Sequence, residues 1–160
     1  VTIQKQSLEK LTAFYYPHDV AHFLVAKDLK FFTDLSKIER ISIPQNLVFD
    51  ANGLEIVTFN EKLCTNHTLE FLKKYQTSLT FKNSTFTIDE YLKHFKMVGN
   101  NAKTIEQIQN SSKIRVFLNT ATYGNMTNVN KEAFTIHKDF GDKFEIYVVN
   151  VDYLTEWDQQ

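Results

Sequence analysis

Lys113 to Tyr153 reads KIRVFLNTATYGNMTNVNKEAFTIHKDFGDKFEIYVVNVDY, and this stretch says most about the architecture of the chain. Ile114 to Leu118 is an apolar run of strand length. Val129, Ala133, Ile136 and Phe140 then fall at i, i+4, i+7 and i+11, the spacing of one helix face, and Gly141 supplies a left-handed stop. Phe144 to Val151 is nearly all apolar. A strand with no polar face has to be covered on both sides, which puts it inside a sheet flanked by helices. The fold class that follows is α/β, a mixed central sheet with helices on both faces. One domain spanning residues 1–160 is expected, because a chain of this length fits a single core.

The rest of the chain supplies further elements of the same kind. Asn46 to Phe49 is strand-like, Asp50-Ala51-Asn52-Gly53 is a strong turn signal, and Leu54 to Phe59 returns as the hairpin partner. Thr65 to Gln76 carries Leu69, Leu72 and Tyr75 on one side of a helix, and Ser78 to Lys82 alternates as a short strand or extended connector. Thr87 and Glu90 have capping-box spacing, which predicts a helix through Ile88, Tyr91, Leu92 and Phe95 to a stop at Gly99. Asn101 to Asn110 offers Ala102, Ile105 and Ile108 on a polar background, a short surface helix joining two units. Toward the start, Ser7 to Tyr16 is an amphipathic helix ended by Pro17, His22 to Ala26 a strand, and Asp28 to Ile38 a helix with Leu29, Phe32 and Leu35 on one face.

Composition narrows the functions. A 42% apolar share with 14 phenylalanines gives a globular chain. Lys+Arg 18 against Asp+Glu 19 leaves no global field to draw it to nucleic acid or an anionic membrane. Arg40 and Arg115 are the only arginines, which disfavours phosphate clamps as well. No apolar run approaches the ~20 residues that span a bilayer. Cys64 stands alone, so no internal disulfide forms and no all-cysteine metal site exists; this fits the cytoplasm and leaves the periplasm or cell envelope open. A start at Val1 is expected where a leader has been processed or removed. The N-x-S/T patterns at Asn66, Asn83, Asn110 and Asn125 arise readily in a chain this rich in Asn, Ser and Thr. Much Lys, Asn, Phe and Ile with few Gly and Pro is the composition of an AT-rich, bacterial type of source.

The Lys113–Tyr153 passage resembles the opening strand, redox turn, helix and second strand of thioredoxin-like proteins. Val116 to Leu118 match the strand, Tyr123 the aromatic residue before the turn, and Val148 to Asp152 the second strand. Gly124-Asn125-Met126-Thr127 stands where that family has C-x-x-C. Ser42-Ile43-Pro44-Gln45-Asn46-Leu47-Val48-Phe49-Asp50, with its hairpin and following helix, is similar to the family's cis-proline strand, hairpin and closing helix. The two halves come in the reverse of the family order, which leaves a permuted arrangement, a tandem one, or a coincidence of β-α-β patterning. Without a thiolate and a resolving thiol the family's redox chemistry has no reagents. The resemblance therefore implies a redox-inactive module, without cofactor, that binds or scaffolds another protein through Tyr123, Asn125 and Met126 beside Pro44.

Other constellations have plainer readings. His18 and His22 stand at i and i+4, a spacing that lets two imidazoles share a metal, but no third ligand is evident and ordinary surface histidines suffice. Asp50-Ala51-Asn52-Gly53 faintly resembles the D-x-D-G of aspartate-nucleophile phosphatases, and a hairpin turn accounts for it fully. Cys64, ahead of a helix start with His67 nearby, gives the alternative function, a single-cysteine peroxidatic or transfer enzyme; a buried thiol acting as a small hydrophobe is the plainer reading. A third reading takes the chain as a piece of a longer protein, its sheet completed at an exposed edge along Val148 to Val151.

Overall fold

The computed structural model describes residues 22–28, 30–38, 46–56, 65–77, 82–98, 103–120, 126–141 and 143–154, with backbone alone for 65–67, 76–77, 126–130 and 152–154. The elements are β1 (His22–Ala26), α1 (Lys30–Lys37), β2 (Asn46–Phe49), β3 (Leu54–Ile56), α2 (Thr65–Thr77), β4 (Asn83–Thr87), α3 (Ile88–Leu92), β5 (Phe95–Val98), α4 (Ile105–Gln109), β6 (Ile114–Thr120), α5 (Met126–Phe140) and β7 (Phe144–Leu154). The strands form one seven-stranded sheet in the order β4-β3-β2-β6-β7-β1-β5. Its centre is parallel, with Val116 opposite Ile146 between β6 and β7 and Leu24 opposite Val149 between β1 and β7. The flanks are antiparallel, with Leu47 opposite Phe117 and Val25 opposite Lys96. The sheet is mixed, as the sequence leads one to expect.

Strand alternation divides the core into two layers. Val25, Val48, Val116, Leu118, Ile146 and Val148 point to one face, where α2 covers them with Phe71 and Leu72 and α5 with Ala133, Ile136 and Phe140. Leu24, Leu47, Phe49, Phe117, Tyr147 and Val149 point to the other, under α1, α3 and α4. At roughly 1.5–3 kcal/mol for each large apolar side chain buried, the two layers are the main source of stability. The i, i+4 stripe of α5 and the two-sided apolar run of β7 both pack as their spacing demands.

Two expectations are corrected. Val148 to Val151 is no open edge, because β7 is paired on both sides, by β6 and by β1. Phe95 does not continue the helix after Leu92. The chain turns at Lys93-His94, and Phe95 opens the edge strand β5 beside β1. Local spacing allowed a longer helix; the pairing with β1, distant in sequence, decided against it. The connector read at Ser78 to Lys82 falls almost wholly outside the described residues, and the observed strand is Asn83–Thr87. Its polar residues alternate poorly, and the strand exists by pairing with β3. The helix expected at Ser7 to Tyr16 also lies outside the described residues.

The hairpin turn is built from side-chain chemistry. Asp50 Oδ1 accepts the N–H groups of Asn52 (2.9 Å) and Leu54 (3.0 Å), and Oδ2 accepts Asn83 Nδ2 (2.7 Å). Gly53 takes a φ of 80°, and its carbonyl receives the Ile88 N–H at 2.8 Å, so the turn also fixes the start of α3. With these bonds Asp50 is a turn residue.

Candidate functional site

The parallel strands β6, β7 and β1 end on the same edge of the sheet, and antiparallel β2 begins there, with Asn46 opposite Leu118. Ligands of open α/β sheets gather at such carboxyl ends. Along this edge the α2/α5 face changes character. Val116 and Leu118 are followed on that face by Thr120, Ile146 and Val148 by Asn150, and Val48 is preceded by Asn46. All three polar residues are buried, as is Thr68 in the first half of α2.

Two of these side chains hold each other. Asn46 Nδ2 donates to Thr68 Oγ1 at 2.8 Å, and Asn46 Oδ1 accepts the Asn119 N–H at 3.2 Å. The Asn119 side chain points to the opposite face, where its Oδ1 accepts the Tyr91 hydroxyl. Asn46 thus ties α2 to the ends of β2 and β6.

Glu132 enters the same group from α5. It is 7% exposed, and neither carboxylate oxygen has a hydrogen-bond partner. Burial pushes its carboxyl up to about 8, against the pull of the neighbouring Thr68 and Asn46, which favour the ionised form. The acid is therefore mostly protonated at neutral pH. Buried carboxyl groups with pKa values raised in this way concentrate at functional sites.

The opposite edge is organised differently. Arg115 is fully buried. Its Nη1 donates to the carbonyls of Ile108 (2.9 Å), Gln109 (3.3 Å) and Ser111 (2.8 Å), and its Nη2 to the carbonyl of Asp50. The guanidinium closes the C-terminal end of α4 and fastens it to the hairpin turn, a structural use of its fork of donors. Beside it, Glu145 accepts Ser111 Oγ at 2.6 Å and the Tyr147 hydroxyl and pairs with Lys103 at 3.2 Å; together these hold its carboxyl below the usual range despite burial. His22, on β1, lies with its ring 5.5 Å from that of Tyr147, and burial, then Lys103, lowers its pKa. An open groove of about 500 Å³ lies nearby, lined by Tyr75, Lys113 and Lys143 among others.

Of the residues singled out in the sequence, Tyr123, Asn125, Pro44, Cys64 and His18 lie outside the described residues. Met126 opens α5 and His67 stands in the first turn of α2, each described by its backbone. What the structure brings together is their surroundings: β2, which follows Pro44 in the chain, and β6, which precedes Tyr123, are neighbours. Asn46, Thr68, Asn119, Thr120, Glu132 and Asn150 were not singled out. Glu132 carried a signal, since it sits at i+3 from Val129 and i−4 from Ile136, inside an otherwise apolar stripe.

No protein-family model, curated protein or solved structure matches the chain. Among the described residues no three His, Cys, Asp or Glu side chains come together in a way that could hold a metal ion, and no helix is long and apolar enough to cross a membrane.

Proposed function

We propose that the chain is a redox-inactive module of thioredoxin-like type, its two halves in permuted order, which binds another polypeptide at the carboxyl edge of its sheet through Tyr123, Asn125 and Met126 beside Pro44. The observation that carries this reading is the adjacency of the two passages that resemble the family. They occupy consecutive places in the sheet, β7-β6-β2-β3, with both of their helices, α5 and α2, on one face. Strand β6, which leads toward Tyr123, ends where its neighbour β2, which follows Pro44 in the chain, begins, as a shared polypeptide-binding surface requires. An aromatic residue and an adaptable Met are suited to such contact. The test is photo-crosslinking in the source cells from position 123, with position 134 on the exposed side of α5 as the control. A polypeptide captured from 123 and not from 134 supports the surface; capture from neither, or equally from both, removes it.

A thiol enzyme using Cys64 is the second reading, favoured by the start of α2 at the next residue, Thr65, since a helix N-terminus lowers a thiol pKa. Rapid alkylation of Cys64 at neutral pH, compared with free cysteine, favours the enzyme; slow alkylation returns the choice to the binding module.

A further inference from the structure

A carboxyl group at 7% exposure with neither oxygen hydrogen-bonded weakens the fold relative to a leucine at the same point of the α5 stripe. Its neighbour Asn46 donates one amide hydrogen to Thr68 and accepts the Asn119 N–H at its carbonyl oxygen. Both oxygens of the acid are left without a hydrogen bond, and the complement of its ionised form is a cation. Among the described side chains the neighbouring helices do not supply one, because Lys73 and Lys74 on α2 and Lys131, His137 and Lys138 on α5 are exposed at the surface. Glu70 and Asp139 are exposed too. On the sheet, Arg115 is odd-numbered on β6 and turned to the opposite face, with α4 and the hairpin turn.

Calcium and magnesium ask for about six or more oxygen ligands, commonly with several carboxylates, and zinc for about three or four protein ligands. One glutamate among amides and hydroxyls does not meet that demand. A primary ammonium asks for a single opposing charge and up to three acceptors, and it arrives on a narrow methylene stem that apolar walls accommodate. We propose that Glu132, beside Asn46 and Thr68 where β2 begins and β6 ends, anchors a binding site for a primary ammonium group. The docking reading above makes that group a lysine side chain of the bound polypeptide; the same chemistry is met by a free alkylamine. Only the source of the ammonium rests on that reading.

Binding exchanges one positive charge for another. Glu132 is mostly protonated at neutral pH, so uptake of the ammonium releases the carboxyl proton to solvent and leaves a carboxylate–ammonium pair. The experiment is a carboxyl-carbon NMR titration of glutamate-labelled protein in millimolar n-butylammonium and, at matched ionic strength, in tetramethylammonium, which has no N–H to donate. The expected result is a Glu132 midpoint lowered by about one unit or more in n-butylammonium, equivalent to about tenfold preference for the ionised form, and unmoved in tetramethylammonium. A midpoint that ignores both ions, or moves equally in both, overturns the site. Glu132→Gln should abolish the shifts that n-butylammonium causes in the Asn46 and Thr68 amide resonances; shifts that persist in that variant also overturn it. Should the variant fail to fold, the native titration decides alone.

A capped Ala-Lys-Ala peptide, titrated in the same way, separates the sources. Binding about tenfold tighter than n-butylammonium supports the site with a polypeptide lysine as its ligand, and binding no tighter supports it with a free amine. A cross-link from position 123 in a protein whose Glu132 ignores amines leaves the docking surface and removes the ammonium site. The reverse pair of results leaves the site and removes the surface.

Discussion

Arg115 and Glu132 are both taken out of water, and the fold treats them in opposite ways. Arg115 meets four carbonyl oxygens, so its charge is kept and its donors are largely used. Glu132 lies near Thr68 and Asn46 without a hydrogen bond to either oxygen, and keeps its proton. The consequence is a dependence of stability on pH. Glutamate titrates near 4.5 when exposed and near 8 here, so between those values the folded chain holds a proton that the unfolded chain has released. Stability from this group is complete below about pH 4.5 and is lost as pH rises through about 8. Linkage sets an upper limit of roughly 5 kcal/mol on the loss, and partial solvation of the carboxyl lowers it. Urea unfolding from pH 5 to 8.5 should show the native chain losing stability against Glu132→Gln across this window. Two curves that fall in parallel would mean that Glu132 takes up no proton on folding.

At the scale of elements, the legible parts were those whose cause is local. The stripe Val129, Ala133, Ile136 and Phe140 gave α5, and Asp50 with Gly53 gave the β2–β3 turn, because helix spacing and turn chemistry are written within a few residues. Phe95 was misread because its spacing from Tyr91 suits a helix as well as it suits the start of a strand, and β1 lies about seventy residues away. Half of the polar site was out of reach for the same reason: Asn46 and Thr68 are joined by a hydrogen bond across a sequence gap that no periodicity spans. Glu132 was within reach, as a charge inside an apolar stripe. The two positive-φ glycines show how much local context is invisible in sequence. Gly53 (φ 80°) and Gly141 (φ 61°) look alike by backbone, yet a Cβ at Gly53 would meet Ile88 Cγ2 at 2.9 Å, whereas one at Gly141 has nothing within 4 Å. Gly141→Ala should therefore cost only the left-handed backbone, about 1–2 kcal/mol. Gly53→Ala should cost that and a displacement of Ile88 at the start of α3, for a total of about 2–4 kcal/mol. Denaturant midpoints of the two variants measure this, and equal losses would mean that α3 yields freely.

For the whole molecule, the order of elements along the chain and their order in the sheet are separable. The strand pairings can be kept if the chain is opened between Gly99 and Ala102, because the cut then falls between the edge strand β5 and α4 and divides no strand. Joining Gln160 to Val1 then makes β7 run on to β1, its parallel neighbour. A parallel crossover needs about a dozen residues or more, and residues 155–160 with 1–21 already exceed that, so a short Gly/Ser insert suffices. In the permuted chain α4 comes first, then β6-α5-β7, then β1 and α1, then the β2-β3 hairpin and α2, which puts the two passages in the order that thioredoxin-like proteins have. If the sheet is a thioredoxin-like arrangement read from a different starting point, this chain should fold cooperatively, with an amide NMR spectrum matching the native one away from the new join and ends and stability within about 2 kcal/mol of it. An expanded chain without a cooperative transition would mean that the native connection through residues 99–102 is required for the sheet. The two halves could not then be treated as exchangeable units, and the permuted reading would lose its physical basis.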